Sequence, residues 1–502
     1  MKTDIKNTFT LYKYPEIDKP FNEYLTIPEI EKYITEHEGT FKYKYLGNEQ
    51  YYIGQNIGIN KTESHDEYAP CNKIPVPYSR TFVTTIKGYM FKPSLISYNS
   101  EDENYLTRLQ EIYDYNDEAI KTAEIGEDQS KFGIGIELLF TVPETEIGED
   151  NELELNNIPY FTKIKPYEVV LIYQRKLNKP LYCAIRYYEF EKNTDGGRMF
   201  QVEVYYKDRV EEYSMTLDIS NKKVIKFIQT YPHFFGDVPI VTFLNNEEYQ
   251  ADYEPVQPLI DAYDKLISDG LNEMDRFASA YLVFQNYILA NTNDDNEAKA
   301  KLERIKKFRV FEVTDDGDVR FLTKDIPSEF FNFFKQTIRE DIEYHSHIPD
   351  FRSAAFTGKS GEAMKYALID FENLAADKQA QIEKGLQRRI KLINNFLKIK
   401  AIESGQVTIK FERNLPSNDT QMIDNVVKLK QNSLLADEDL LSLLPSDMVA
   451  DVKKALANLN KQKENNMAMF DLDDPIEDDS EDQDKEDSED KNKENKNNFS
   501  KE

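Results

Sequence analysis

The sequence predicts an α+β protein with more than one domain, and three observations support that prediction. The chain has 502 residues, which is too many for a single hydrophobic core. Up to about residue 244 it contains short runs rich in Val, Ile, Tyr and Phe, which are typical of strands. From residue 252 onward, apolar residues recur at helical spacing over long stretches. We therefore expect two to four domains.

The first part of the chain predicts a mixed domain with an antiparallel meander. Leu106, Leu109, Ile112 and Tyr113 fall at helical spacing. Strand composition marks five segments, which are 134–140, 168–173, 181–190, 201–206 and 223–229. Asn-Thr-Asp-Gly-Gly at 193–197 lies between two of these and predicts a hairpin turn, because glycine readily adopts positive φ.

A long amphipathic helix is predicted over 253–280, since the apolar positions between Val256 and Phe277 follow the i, i+3, i+4 pattern. Residues 281–326 then predict a small βαββ insertion. Its helix is strongly basic and carries Lys299, Lys301, Arg304, Lys306 and Lys307. A second helix is predicted over 327–347, so the insertion would hang between two helices that can lie antiparallel.

A polar and aromatic loop is predicted over 348–361, followed by a long unbroken helix that ends near Gly405. A strand at 407–411 and small helices over 419–460 complete the ordered chain. Beyond 461 the composition of Asn, Lys, Asp, Glu and Ser predicts disorder, because it offers too little apolar surface to offset ordering.

The charge distribution argues against tight DNA binding. The chain has a formal net charge of -29, and 471–490 holds thirteen acids against one lysine, a net of -12. The rest of the chain therefore carries -29 + 12 = -17, whereas a domain that grips phosphates is basic. A passage through which DNA must slide is compatible with this charge, because adhesion would impede sliding.

We find no catalytic, metal-binding or cofactor-binding constellation in the sequence. The motifs GxxxxGK[ST], GxGxxG, HExxH and GxSxG are missing. His345 and His347 lie two apart, so on a helix they diverge and make a poor metal pair. Cys71 and Cys183 match no disulfide framework and are expected to be free thiols in a reducing cytoplasm. No run approaches the roughly 20 apolar residues of a membrane helix, and no signal peptide follows Met1.

Three segments together resemble the portal proteins of long-tailed phages that infect Gram-positive bacteria. The first runs from Asn-Lys-Ile-Pro at 72–75 to Gly-Tyr-Met-Phe at 88–91. The second runs from Asp-Val-Pro-Ile-Val-Thr-Phe-Leu-Asn-Asn-Glu at 237–247 to Leu-Ile-Asp-Ala-Tyr-Asp-Lys-Leu-Ile-Ser-Asp at 259–269. The third joins His-Ile-Pro-Asp at 347–350 to Phe-Thr-Gly at 356–358, Ser-Gly at 360–361 and Ala-Met-Lys at 363–365. The resemblance covers about 70–420.

The resemblance implies a portal fold, one subunit of a ring of twelve. The expected regions are a wing over 1–252 and 362–418, stem helices over 253–280 and 327–347, a clip over 281–326, a tunnel loop over 348–361, crown helices over 419–460 and a disordered acidic tail over 461–502. The ring would form the channel at one capsid vertex of the virion for packaging and ejection of double-stranded DNA. Implied partners are the terminase large subunit, the head-completion adaptor, and the major capsid and scaffolding proteins, with no membrane.

A ring repeats each side chain around its axis, so one loop residue becomes a collar. Phe351, Arg352, Phe356 and Lys359 would then surround DNA with weak, salt-screened positive charge and no sequence readout. Packing or ion pairs with a neighbouring subunit is the alternative for these four residues. For the basic helix of the insertion, contact with a partner or a neighbouring subunit is favoured over simple solvation, because its bases cluster so heavily.

Two other classes of function remain open from the sequence. One is a phage enzyme such as a capsid-associated nuclease, which would need a metal-dependent acid cluster. The other is a scaffold or adaptor that binds partners without forming a channel, with the acidic tail as its interaction arm. Ring-shaped particles with a central hole distinguish the portal from both.

Overall fold

The computed structural model describes most of the chain between residues 12 and 470. The described residues are 12–63, 70–93, 95–147, 153–192, 198–218, 222–278, 281–285, 299–300, 303, 318–322, 328–351, 361–399, 405–414, 419–432, 434–444, 449 and 452–470. Contacts divide the chain into two units, Met1–Leu415 and Pro416–Glu502. Each unit is described by itself.

The N-terminal part of the first unit is largely helical. Its helices are α1 (Ile27–Gly39), α2 (Phe41–Tyr52), α3 (Ile57–Asn60), α4 (Tyr78–Met90), α5 (Glu103–Tyr115) and α6 (Glu118–Phe132). A capping box begins α1, because the backbone N–H of Thr26 donates to Glu29 Oε2 at 2.8 Å. Gly133 ends α6 in the left-handed region, with φ of 83°.

Up to residue 244, the described residues form ten strands. Nine of them form the two larger sheets, and β2 belongs to a separate two-stranded sheet. In chain order the strands are β1 (Glu16–Ile17), β2 (Ile96–Asn99), β3 (Ile134–Ile147), β4 (Leu153–Ile164), β5 (Val169–Gln174), β6 (Leu181–Lys192), β7 (Arg198–Tyr205), β8 (Arg209–Leu217), β9 (Lys223–Pro232) and β10 (Ile240–Leu244). One sheet has the order β1-β5-β6-β7-β8-β9, and the other has the order β10-β3-β4. All neighbours are antiparallel except β1 and β5.

Strand β5 is buried on both faces because the six-stranded sheet is covered on both sides there. Val170 and Ile172 lie in one apolar cluster, which includes residues of α1. Val169 and Leu171 lie in a second cluster, with residues of α2 and β3. This alternation follows the two-residue repeat of a strand.

Long helices and short strands make up the rest of the first unit. They are α7 (Gln257–Ala278), β11 (Tyr281–Gln285), β12 (Asp318–Leu322), α8 (Ser328–Ser346), α9 (Gly361–Ala367), α10 (Ile369–Ile399) and β13 (Thr408–Phe411). Strands β11 and β12 pair antiparallel, as do β13 and β2. The largest apolar core packs α10 against α4, α5 and the start of α7.

The second unit is helical in its described part. Its helices are α11 (Asp419–Gln431), α12 (Asp437–Ser442) and α13 (Val452–Phe470). The carboxylate of Asp437 forms ion pairs with Lys430 and Lys463, which joins the three helices.

The α+β prediction is confirmed, and most predicted elements are present. The predicted strands at 134–140, 168–173, 181–190, 201–206 and 223–229 correspond to β3, β5, β6, β7 and β9. The turn residues 193–197 lie outside the described residues, but Lys192 and Arg198 on either side are paired. Strands β1, β2, β4, β8 and β10 were not predicted.

Two predicted boundaries differ from the structure. The helix predicted without a break after 361 is divided at Leu368 into α9 and α10. Disorder was predicted from 461, whereas α13 continues to Phe470. Many of its residues, such as Ala, Leu, Lys and Met, have high intrinsic helix propensity. The prediction of disorder considered only how little apolar surface this segment can bury, and did not include helix propensity. Residues 471–502 lie outside the described residues.

Candidate functional site

Helices α7 and α8 form an antiparallel pair. Gly270 of α7 lies against the ring of Phe331 near the start of α8, while Tyr263, two turns earlier in α7, lines a cavity with Arg339 and Glu343 near the end of α8. At the far end of the pair, β11 follows α7 and β12 precedes α8, and the two strands form a ribbon. The fold thus places a β-ribbon at the tip of a helix pair.

An extended segment, residues 72–76, is fixed along α7 by three hydrogen bonds. The backbone N–H groups of Val76, Ile74 and Asn72 donate to Asp264 Oδ1 at 2.8 Å, Ser268 Oγ at 3.0 Å and Asn272 Oδ1 at 2.7 Å. The donors are every second residue of an extended chain, and the acceptors are every fourth residue of a helix, so both sets recur at similar spacing along one face. We call this set of contacts the ladder.

Asp264 is the buried end of the ladder. Its second carboxylate oxygen accepts a hydrogen bond from Asn56 Nδ2 at 2.5 Å. Burial raises the pKa of Asp264 to about 6. The hydrogen bonds that Asp264 accepts from Asn56 and Val76 lower its pKa in part, whereas the nearby carboxylate of Asp261 raises it further. Asp261 itself accepts a hydrogen bond from Tyr51 Oη at 2.8 Å. The start of α7 is therefore held by polar contacts to the N-terminal helices.

The loop predicted over 348–361 starts from a firmly held turn. His347 ends α8 with φ of 57°, and the N–H of buried Ile348 donates to Ser346 Oγ at 3.2 Å. Arg339 joins the turn to the helix, because its guanidinium lies 2.6 Å from Asp350 Oδ2 and 3.0 Å from Glu343 Oε1.

Of the four loop residues that were predicted to face DNA, Phe351 is the one that the structure describes. Its ring is half-buried and meets Phe371 of α10 edge-on, with 5.8 Å between ring centroids. Arg352, Phe356 and Lys359 lie outside the described residues. In a single chain Phe351 thus packs on α10, and its role towards DNA or a neighbouring subunit stays a prediction.

A half-open cavity of about 610 Å³ lies where α4, α7, α8 and this loop meet. Its walls mix aromatic rings, threonines and one ion-pair network, and they include Pro77, Tyr78, Thr81, Tyr263, Arg339, Glu343, Asp350 and Phe351. Burial raises the pKa of Tyr78 well above its usual range, and its ring meets Tyr263 edge-on at 5.4 Å. The Tyr78 hydroxyl is therefore protonated and neutral. The cavity lies between α4, α7, α8 and the turn that follows α8.

The basic insertion helix is described at few positions. Lys299 is exposed, and Lys301, Arg304, Lys306 and Lys307 lie outside the described residues. The structure therefore neither brings these five side chains together nor separates them.

Two buried cations fix α10 in the core. Arg389 donates to both oxygens of Glu137, each at 2.8 Å, and to Glu118 Oε1 at 3.0 Å. Lys378 pairs with Asp252 at 2.9 Å and also donates to Asn245. Each buried charge has its counter-charge in direct contact, which is the arrangement of a structural ion pair.

The sequence did not single out these ion pairs or the ladder. One signal for the ladder was available, because Asp264, Ser268 and Asn272 place polar groups at four-residue spacing beside an otherwise apolar helix face. The ladder also joins two of the segments that carry the family resemblance, 72–75 and 259–269, through the bond from Ile74 to Ser268.

Among the described residues there is neither a metal-binding cluster nor a membrane-spanning helix. In the ranges given above, no group of three or more His, Cys, Asp or Glu side chains is placed to hold a metal ion. Of the helices that the structure describes, none is both long and apolar enough to cross a bilayer.

Ion pairs, aromatic packing and hydrogen bonds hold the described helices and sheets together. A family model described as "Phage portal protein, SPP1 Gp6-like" matches residues 31–469, and the chain belongs to this family. Members of the family are structural, non-enzymatic components of phage heads. The resemblance that the three motif segments indicated is therefore confirmed.

Two curated relatives carry the name "Portal protein". One, from Bacillus phage SPP1, is 22% identical over 312 residues, which cover 59% of this chain and 60% of the relative. The other, from Clostridium phage phiCD119, is 24% identical over 267 residues, which cover 52% of this chain and 58% of the relative. The matched part thus spans about three fifths of each relative's length.

Proposed function

We propose that this chain assembles into the ring-shaped channel at one vertex of the phage capsid, through which double-stranded DNA is packaged and later ejected. The observation that supports this most is the antiparallel pair of α7 and α8 with a β-ribbon at its tip, in a chain of the portal family. A ring of such pairs makes a tube wall of helices, and the ribbons project from one end.

Each region has a proposed role. The stem is 253–280 and 327–347, the clip is 281–326, and the tunnel loop is 348–361. The wing comprises 1–252 and 362–418, the crown helices are 419–460, and the tail is 461–502. The ladder supports a close coupling of stem to wing, because it ties α7 to residues 72–76. We expect twelve subunits in the virion ring.

The partners follow from the place in the capsid. The clip, with Lys299, Lys301, Arg304, Lys306 and Lys307, would dock the terminase large subunit and later the head-completion adaptor. The wing would meet the major capsid and scaffolding proteins. The chain would be made in the host cytoplasm and reside at the portal vertex of the virion, with ATP hydrolysis supplied by the terminase.

Negative-stain images of the purified full chain test the proposal. Rings with a central hole are expected. Monomers that stay monodisperse across a concentration series would contradict it and favour a scaffold or adaptor without a channel. Nuclease and ATPase assays with Mg²⁺ on the same preparation add a second test, because robust turnover would contradict a purely structural role.

A further inference from the structure

Strands β3 and β4 continue as a two-stranded ribbon beyond the sheet to which they belong. The third strand, β10, pairs with β3 only from Ile134 to Leu138. From the pair Phe140–Tyr160 to the pair Ile147–Leu153, eight residue pairs follow in which β3 and β4 are bonded only to each other within the described sheets. At about 3.3 Å per residue the ribbon is about 25 Å long. We call residues 140–147 and 153–160 the ribbon arm.

The sequence of the arm and of the loop that joins its strands is strongly acidic. Residues 141–159 contain six acids and no Lys or Arg. Glu146 lies directly opposite Glu154, and by register Glu144 belongs to the same face. Like charges that face each other across a ribbon are destabilising, and a two-stranded ribbon without further packing is marginal in water. A cationic surface outside this chain's own sheet would relieve both problems.

Two prolines close the outer edges of the arm near its base. The N–H groups of Leu139 and Phe161 point away from the ribbon, to Pro239 O and Asn116 Oδ1, both at 2.9 Å. By strand alternation the nitrogens of Pro143 and Pro159 also lie on the outer edges, and proline has no N–H to donate. The edges are therefore open to another strand only beyond the prolines.

A complementary surface lies in the other sheet. Strand β9 is the edge of the six-stranded sheet, and no described strand pairs with its outer side. Val224, Phe227, Ile228 and Tyr231 are exposed by 39–53%, although they are large and apolar. Lys222 just before these residues and Lys226 among them are also exposed. A long, apolar, unpaired edge strand is a template for pairing with another chain.

We propose that the ribbon arm of one subunit docks on β9 of the adjacent copy in the ring. The acids at 144, 146 and 154 would meet Lys222 and Lys226, and the apolar pair Ile147–Leu153 would cover exposed side chains of β9. Arm and strand are different surfaces, so the contact is heterologous, and a heterologous contact is the kind that closes into a ring. The inference rests on the ring assembly proposed above.

Crosslinking in the assembled particle tests the contact. In a Cys71→Ser chain, Asn156→Cys, which lies opposite Glu144 on the acidic face of the arm, is combined with Lys226→Cys and treated with a short bismaleimide. The expected result is a series of covalent oligomers on a denaturing gel. The control pairs Asn156→Cys with Lys61→Cys, at an exposed residue outside β9, and should give no oligomers. Rings in the microscope without covalent oligomers would overturn this inference alone, whereas absence of rings would overturn both proposals.

Charge reversal gives an independent readout. Glu144→Lys, Glu146→Lys and Glu154→Lys together should raise the concentration at which half of the chains are in rings by about tenfold, and Lys222→Glu with Lys226→Glu should act alike. All five combined should restore most of the assembly. Glu247→Lys with Glu248→Lys, at exposed acids outside the arm, is the control and should leave assembly unchanged. Normal rings that fail to enter capsids would show that the arm binds a capsid protein instead, which would overturn the proposal.

Discussion

Gly270 of α7 faces the ring of Phe331 in α8 so closely that a Cβ atom at residue 270 would lie 2.7 Å from a ring carbon. Real Cβ atoms essentially never approach another atom that closely, so any larger residue must displace the ring or separate the two helices. The first response to a larger residue at 270 is a shift of the Phe331 ring. The contact therefore contributes to the close packing of the helix pair that we propose as the stem.

Gly270→Ala should destabilise the protein by about 1–3 kcal/mol, because the added methyl group overpacks the contact with Phe331. Urea unfolding of purified protein measures the change. Gly88→Ala is the matched control, since Gly88 also lies in a helix and has no atom within 4 Å of a built Cβ. There the substitution should be neutral or slightly stabilising, because alanine favours helix. Equal losses in both variants would contradict the close contact.

Arg389→Met should cost about 3–5 kcal/mol, because it leaves the buried carboxylates of Glu137 and Glu118 without their cation. Lys410→Met removes an exposed partner of Glu412 and should change stability by less than about 1 kcal/mol. Denaturant unfolding at neutral pH compares the two. Burial raises the pKa of Glu137, so the deficit of Arg389→Met should shrink in acid, where that carboxyl is protonated.

The pKa of about 6 at Asp264 predicts a pH dependence of stability. The folded state holds this proton more tightly than the unfolded state, in which the carboxyl has the ordinary aspartate pKa of 3.8. Protonated Asp264 therefore adds to the free energy of unfolding in full below about pH 4, and this stabilisation is lost as the pH rises through about 6. Asp264→Asn should flatten this part of the profile of unfolding free energy against pH. Asp269→Asn, at an exposed acid of the same helix, should leave the profile as it is.

Deletion of 351–359 should leave rings intact and block DNA packaging, if the loop acts on DNA in the channel. Electron microscopy reports ring formation, and a packaging assay with terminase and empty capsids reports protected DNA. Phe351→Leu serves as a milder variant that keeps apolar contact with Phe371. Loss of rings in the deletion would show that the loop is mainly an assembly element.

The sequence predicted those elements whose residues carry a one-dimensional pattern. The apolar periodicity of α7 and α8 and the β-branched runs of β5 and β6 mark the helix pair and the buried centre of the sheet. Strand β8 was missed because its alternation includes charged residues such as Glu211 and Glu212, and it becomes a strand by pairing on both sides.

The candidate site was harder to predict, because its contacts join segments far apart in sequence. Val76 and Asp264 are 188 residues apart, and Arg389 and Glu137 are 252 residues apart. Nothing in the local sequence indicates which acid will meet which donor. The family resemblance identified the segments that matter, but their contacts with each other required the fold.

The ladder between residues 72–76 and α7 has a mechanical consequence. Its three bonds recur at nearly one helical turn, so a slide of α7 by part of a turn breaks all of them together. A slide by a whole turn brings each acceptor, Asp264, Ser268 or Asn272, close to the next donor. The three bonds therefore oppose a small axial shift of α7 together and not one after another.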